Sequence, residues 1–280
     1  MIERDLDCLG PSGYHRIVYS ERSGPPGARA LICVHGFTGN ARDFDAIADA
    51  LSAHYRVISP DMPGRGKSDR LTAPAEYAYP VYLADCAALI ARLDVESVDW
   101  IGTSMGALIG MMLAAQSGSP IRKLVLNDAG AFVSGEGLNR IGGYLGADPT
   151  FASIEAMEAA VRENSAPYGP LTDAQWRKLT IDSAREKPGG GYGFNYDPRL
   201  GDPYKAGPVG DVDLWAFWDA VRCPTLLLRG EQSDIVPRDV AEAMTERGPR
   251  AKLVEFPGIG HAPQLLSDDQ IGAVRDFLLE

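Results

Sequence analysis

Cysteine is scarce in this sequence. Cys8, Cys33, Cys86 and Cys223 are spread over 280 positions with no Cys-x-x-Cys pair. That spacing offers neither a disulfide framework nor a thiolate zinc site, and a thiol in or beside an apolar run, as at Cys33 and Cys223, acts as a small hydrophobe. Free structural thiols are expected. Histidine is equally scarce. His15, His35, His54 and His261 show none of the usual ligand spacings, so no metal and no cofactor are expected. Basic charge is in deficit, with 27 Lys and Arg against 38 Asp and Glu, a formal net charge of -11. Nucleic-acid binding calls for a basic stripe, so that class is set aside and the acidity is read as solubility. No run approaches the roughly 18–20 apolar residues of a membrane span. The start, Met1-Ile2-Glu3-Arg4-Asp5, lacks the apolar stretch of a signal peptide, which gives a cytoplasmic expectation. Internal repeats and low-complexity tracts are missing too, which excludes solenoids.

What is present is a β/α rhythm. Gly10-Pro11-Ser12-Gly13 followed by Ile17-Val18-Tyr19 predicts a hairpin. Ala30-Leu31-Ile32-Cys33-Val34 is a continuous apolar run, suited to a strand buried on both faces. Helical spacing follows over 41–51, with Asn40 as N-cap, then a strand at 56–59, a helix over 79–93 and a strand at 98–101. A helix over 105–116 and a strand at 123–126 complete this half. Strict alternation implies parallel βαβ units. From 131 to 221 the rhythm changes to helical segments without strands (138–145, 153–164, 172–183), a Gly/Tyr-rich loop over 189–197 and a short helix over 213–221. Strand, helix, strand, helix then resume at 225–229, 238–247, 252–256 and 268–280. The expectation is a doubly wound, mostly parallel α/β sheet made of residues 1–130 and 222–280, interrupted by an insert of residues 131–221. Ligands on such sheets bind outside the carboxyl ends of the strands.

The strand ends carry the chemistry. After Trp100-Ile101 comes Gly102-Thr103-Ser104-Met105-Gly106, then an apolar helix. Gly-x-Ser-x-Gly between strand and helix places a serine on a tight, strained turn, where the flanking glycines let the two elements pass closely. A serine needs a base, and the base needs an acid to hold its tautomer. His261, in Gly258-Ile259-Gly260-His261, is the only histidine after Ser104. Asp234 follows the 225–229 strand and is taken as the acid. Asp128, just after the 123–126 strand, is the alternative. Backbone N–H groups of Met105 and Phe37 are assigned to an oxyanion hole, the latter from the loop His35-Gly36-Phe37-Thr38-Gly39.

With these pieces and Asp61-Met62-Pro63-Gly64-Arg65-Gly66-Lys67-Ser68, the sequence resembles the α/β-hydrolase superfamily in its serine-nucleophile branch. The resemblance runs from residue 30 to 261. It implies an α/β-hydrolase fold with a helical cap inserted after the sixth strand, and an acyl-enzyme mechanism. It also implies that the acid can come from the strand end at Asp128, and that His35 stabilises its loop or borders the substrate pocket. Gly66-Lys67-Ser68 mimics a phosphate loop, but Asp61 stands where its first glycine would be.

The insert holds 12 aromatics in 91 residues, against 11 in the other 189. They serve its own small core or an apolar lid, and Trp176, Tyr192, Tyr196, Trp215 and Trp218 are candidate pocket residues. The leading expectation is a carboxylesterase acting on a small-molecule ester. Alternatives with the same triad are lactone opening, C–C cleavage of diketones and perhydrolysis, for which Arg140, Arg162 or Arg199 could bind a substrate carboxylate. A small-molecule receptor that kept its triad is the non-enzymatic alternative. An Asp nucleophile would mark an epoxide hydrolase or dehalogenase, and Ser104 argues against both.

Overall fold

The computed structural model describes residues 1–205 and 207–280. The chain opens with a hairpin, β1 (Ile2–Gly10) and β2 (Gly13–Arg22), then runs β3 (Arg29–Val34), α1 (Asp45–Leu51), β4 (Tyr55–Pro60), α2 (Tyr79–Arg92), β5 (Val98–Thr103), α3 (Met105–Ala114) and β6 (Ile121–Asn127). The insert carries β7 (Phe132–Val133), α4 (Gly135–Gly142), α5 (Ile154–Asn164), α6 (Asp173–Ser183), β8 (Ala184–Glu186), β9 (Tyr192–Phe194), α7 (Asp202–Lys205), β10 (Val212–Asp213) and α8 (Trp215–Ala220). The chain closes with β11 (Thr225–Gly230), α9 (Arg238–Glu246), β12 (Lys252–Phe256) and α10 (Asp268–Leu279).

Eight strands form one sheet in the order β1-β2-β4-β3-β5-β6-β11-β12, parallel except for the opening hairpin and its junction with β4. This is the expected doubly wound sheet, with the insert following the sixth strand. The central strands have apolar side chains on both faces, and each face has its own core. Trp100, Leu124 and Leu227 pack on one side with α2 and α3; Leu31, Ile101, Val125 and Leu228 pack on the other with α1 and α10. Both faces being covered is why these strands read as unbroken apolar runs. A buried hydrogen bond of 2.9 Å between His15 Nε2 and Asp85 Oδ2 ties the hairpin to α2.

Two local expectations need correction. The helix over 41–51 begins as a 3₁₀ turn, Ala41–Phe44, capped by Asn40 as expected, before α1 takes over. The insert is not free of strands. β8 pairs with β9, so the Gly189–Gly191 run is the tip of a hairpin, and β10 pairs with β7. Three-residue strands leave too little periodicity to be read from sequence. The four cysteines are free, as expected. Among the described residues, no helix is long and apolar enough to cross a membrane.

Candidate active site

The turn between β5 and α3 is as tight as its glycines suggested. A Cβ at Gly102 would lie 2.2 Å from the Gly106 carbonyl carbon, and one at Gly106 would lie 2.0 Å from the Val34 oxygen. Between them Ser104 has φ 51° and ψ -114°, a strained conformation for a residue with a side chain. The strain is held in place by β6. Ser104 N–H donates to Asn127 O at 2.9 Å, while Asn127 Nδ2 donates to Thr103 Oγ1 and Pro263 O. Asn127 thus locks the serine turn and the histidine loop to one strand end.

His261 Nε2 lies 3.0 Å from Ser104 Oγ. Its Nδ1 lies 2.8 Å from Asp128 Oδ2. Asp128 is fully buried, and its carboxylate also accepts hydrogen bonds from Ser233 Oγ (2.7 Å) and Gly230 N (3.1 Å). The expectation that Asp234 meets the imidazole is therefore corrected. In the loop after β11 it is Ser233 that faces the histidine side, while Asp234 points to α4 and takes Arg140. Burial opposes the charge on Asp234, but the Arg140 hydrogen bonds and charge outweigh it and hold the carboxyl below its ordinary range.

The Phe37 and Met105 N–H groups have no hydrogen-bond partner among the described residues. Met105 opens α3, so its N–H is one of the helix's unpaired donors. Phe37 is fixed from behind by Arg65, whose Nε donates to Phe37 O at 2.8 Å and whose guanidinium lies 5.0 Å from the Phe37 ring centroid. Arg65 is buried, and Nη1 donates to Pro63 O and Tyr82 Oη. The Pro63-Gly64-Arg65-Gly66 turn is the one sequence signal for this placement of Arg65.

His35 does not border the pocket. It is fully buried, accepts the Met62 N–H on Nε2 (2.9 Å) and donates from Nδ1 to Gly36 O (2.6 Å). Those roles require the neutral ring. Burial pushes its pKa down to about 3, the Arg65 charge adds to this, and the Gly36 hydrogen bond opposes it. Below an ordinary pKa of about 6.5 the unfolded chain takes a proton that the folded chain refuses, so stability falls as pH drops from there toward 3. Urea midpoints at pH 7.5 and pH 5 should show this fall in the native protein and a smaller one in His35→Gln. Equal falls would place the acid sensitivity elsewhere.

Ser104 and His261 open into a cavity of about 160 Å³. Gly36, Phe37 and Thr38 form one wall, and Tyr144, Tyr168, Phe194 and Tyr196 from the insert form another. Of the candidate pocket aromatics, Tyr196 alone is in the lining. Trp176 packs with Met157 and Val161 and stacks on Tyr168 (6.5 Å, 7°). Tyr192 pairs through its backbone with Phe151. Trp215 lies against the Arg247 guanidinium, and Trp218 is fully buried with its Nε1 on Arg247 O. Tryptophans went to cores because each buries a large apolar area. Asp43 is also on the wall, and burial pushes its carboxyl up to about 7 against the Asn40 backbone hydrogen bond.

Residues 29–268 match the model of the family described as alpha/beta hydrolase fold. The chain belongs to this family. A 3-hydroxybutyrate-oligomer hydrolase of Cupriavidus necator is 42% identical over 97% of this chain and 96% of its own length. A 2-hydroxymuconate semialdehyde hydrolase of a Pseudomonas species is 27% identical over 82% of this chain and 78% of its own. Among solved structures, an alpha/beta hydrolase of Novosphingobium aromaticivorans superimposes with TM-score 0.89 at 36% identity, covering 99% of this chain and 98% of that one. In this α/β hydrolase, the site stands where the family's topology puts ligands, at the carboxyl ends of β3, β5 and β6.

Proposed function

We propose that this α/β hydrolase is a serine hydrolase that cleaves short oligoesters of a hydroxy acid. One observation carries the reading: the unbroken hydrogen-bonded series Asp128–His261–Ser104 opening into the pocket. In this reading His261 takes the Ser104 proton as Oγ attacks the ester carbonyl. The Phe37 and Met105 N–H groups hold the oxyanion. His261 then protonates the leaving alcohol, and water releases the acyl group by the same steps in reverse order. Asp128 keeps the Nδ1–H tautomer and stabilises the imidazolium. Residues 131–221 act as the lid that supplies the aromatic wall. The substrate class is suggested by the relative at 42% identity, whose name specifies 3-hydroxybutyrate oligomers.

The test is release of monomer from 3-hydroxybutyrate dimer and trimer, with a serine-directed phosphonate as probe. Turnover should stop when one equivalent of probe has bound, and the label should map to Ser104. Ser104→Ala should lose turnover by about 10³-fold or more and refuse the label. Label on another residue, or undiminished turnover in Ser104→Ala, would overturn the reading. Lactones and dienoic diketones belong in the same panel, and preferential turnover of either would replace the oligoester assignment.

A further inference from the structure

Arg140 is the one fixed cation among the described residues that line the pocket. It comes from α4 of the insert, and its partner Asp234 comes from the sheet side, in the loop after β11. Nε and Nη2 of Arg140 donate to the two oxygens of Asp234, the second at 2.9 Å, and none of the hydrogen bonds among the described residues uses Nη1. Both side chains are about one-third exposed, 36% and 35%. The other two candidate arginines are spent elsewhere: Arg162 on Glu158 and Asp173, Arg199 on Asp197.

An ion pair this exposed contributes little to stability. As a binding element it has more to offer. A guanidinium is planar, and a carboxylate on one edge fixes that plane, leaving a second edge preorganised for another carboxylate. Arg140 lines the cavity that holds Ser104 and His261, with Tyr144 beside it. Asp234 also offsets part of the Arg140 charge, which favours release of an acidic product.

We propose that Arg140, held in place by Asp234, is the subsite for a free carboxylate on the substrate, so that the enzyme selects esters that carry a terminal acid group. Arg140 binds the substrate, and Asp234 is its positioning residue. The proposal rests on the ester-hydrolase reading and explains how an oligomer of a hydroxy acid, which ends in a carboxylate, is told from a neutral ester.

The experiment compares kcat/KM for 3-hydroxybutyrate dimer as the free acid and as its terminal primary carboxamide, which keeps the scissile ester and the size. The native enzyme should prefer the free acid by about 10–100-fold, the discrimination expected of a charge-assisted two-point contact. Arg140→Gln should reduce that ratio at least tenfold, chiefly through KM for the acid. Arg140→Lys should retain part of it, and Asp234→Asn should fall between. A native ratio near one overturns the subsite without any variant having to fold. A ratio unchanged in Arg140→Gln, with only a lower melting temperature, makes the pair a strut and also overturns it. If neither compound is turned over, the ester-hydrolase reading fails and takes this proposal with it; equal turnover of both removes the subsite alone.

Discussion

Asp128→Asn is expected to lower kcat on a short neutral ester by about 10⁴-fold, and Asp234→Asn by no more than about tenfold. The asymmetry follows from what each carboxylate touches. Asp128 Oδ2 accepts from both His261 Nδ1 and Ser233 Oγ, and Oδ1 accepts from the Gly230 N–H. An asparagine has one oxygen for these three donors. With its NH₂ toward Gly230, two donors face each other in a buried site. With its NH₂ toward His261, the imidazole must carry its proton on Nε2, where it can no longer accept one from Ser104. Either way the base is lost or the pocket is destabilised. A melting curve separates the two, and phosphonate labelling of Ser104 should slow in step with kcat. Asp234→Asn keeps an acceptor for Arg140 and leaves the imidazole untouched. The reverse ranking would return the acid role to Asp234.

Gly106→Ala is expected to leave no active protein: either no soluble fold, or a melting temperature lowered by more than about 15 °C with activity down at least 100-fold. Its Cβ would stand 2.0 Å from Val34 O and 2.5 Å from Val34 C, which are backbone atoms of the central strand and cannot turn aside. Relief requires α3 to move off β3 by more than an ångström. That shift would carry Met105 N–H and Ser104 away from the loop that bears Phe37. Gly272→Ala is the control, since α10 offers its Cβ nothing nearer than the far end of Arg275 at 3.9 Å. There the same substitution should stabilise by about 0.5–1 kcal/mol, because alanine gives up less backbone freedom in a helix. Two alanines of opposite effect would tie the loss at Gly106 to close approach. Native-like activity in Gly106→Ala would show that the turn has slack.

Asp128 and Asp234 stand on nearly equal terms in the sequence, and the structure brings only Asp128 to His261. β6 and β11 are neighbouring parallel strands with Asn127 level with Leu228, so Asp128 and Asp234 both follow strand ends beside the histidine loop. Chain order and residue type fit each of them. The difference lies in direction. Asp128 leaves β6 at once, with φ 54°, and its side chain drops beneath the imidazole. Asp234 stands four residues past Gly230, and Arg140 draws it toward the insert. The sequence offers Arg140, Arg162 and Arg199 alike for a carboxylate and does not rank them.

The sequence by itself determined the doubly wound sheet, the strand ends that bear Ser104 and His261, and the glycines that make the serine turn possible. Those features are local, set by apolar runs, turn chemistry and chain order over a few residues. Tertiary structure alone decided which carboxylate meets His261, which arginine enters the pocket and which aromatics border it. These depend on where side chains from distant segments point, and in an insert of short elements, large apolar rings were claimed by cores before they could serve as a wall. Trp176 and Trp218 went inward, and the smaller phenols of Tyr144, Tyr168 and Tyr196 were left to line the cavity beside Ser104.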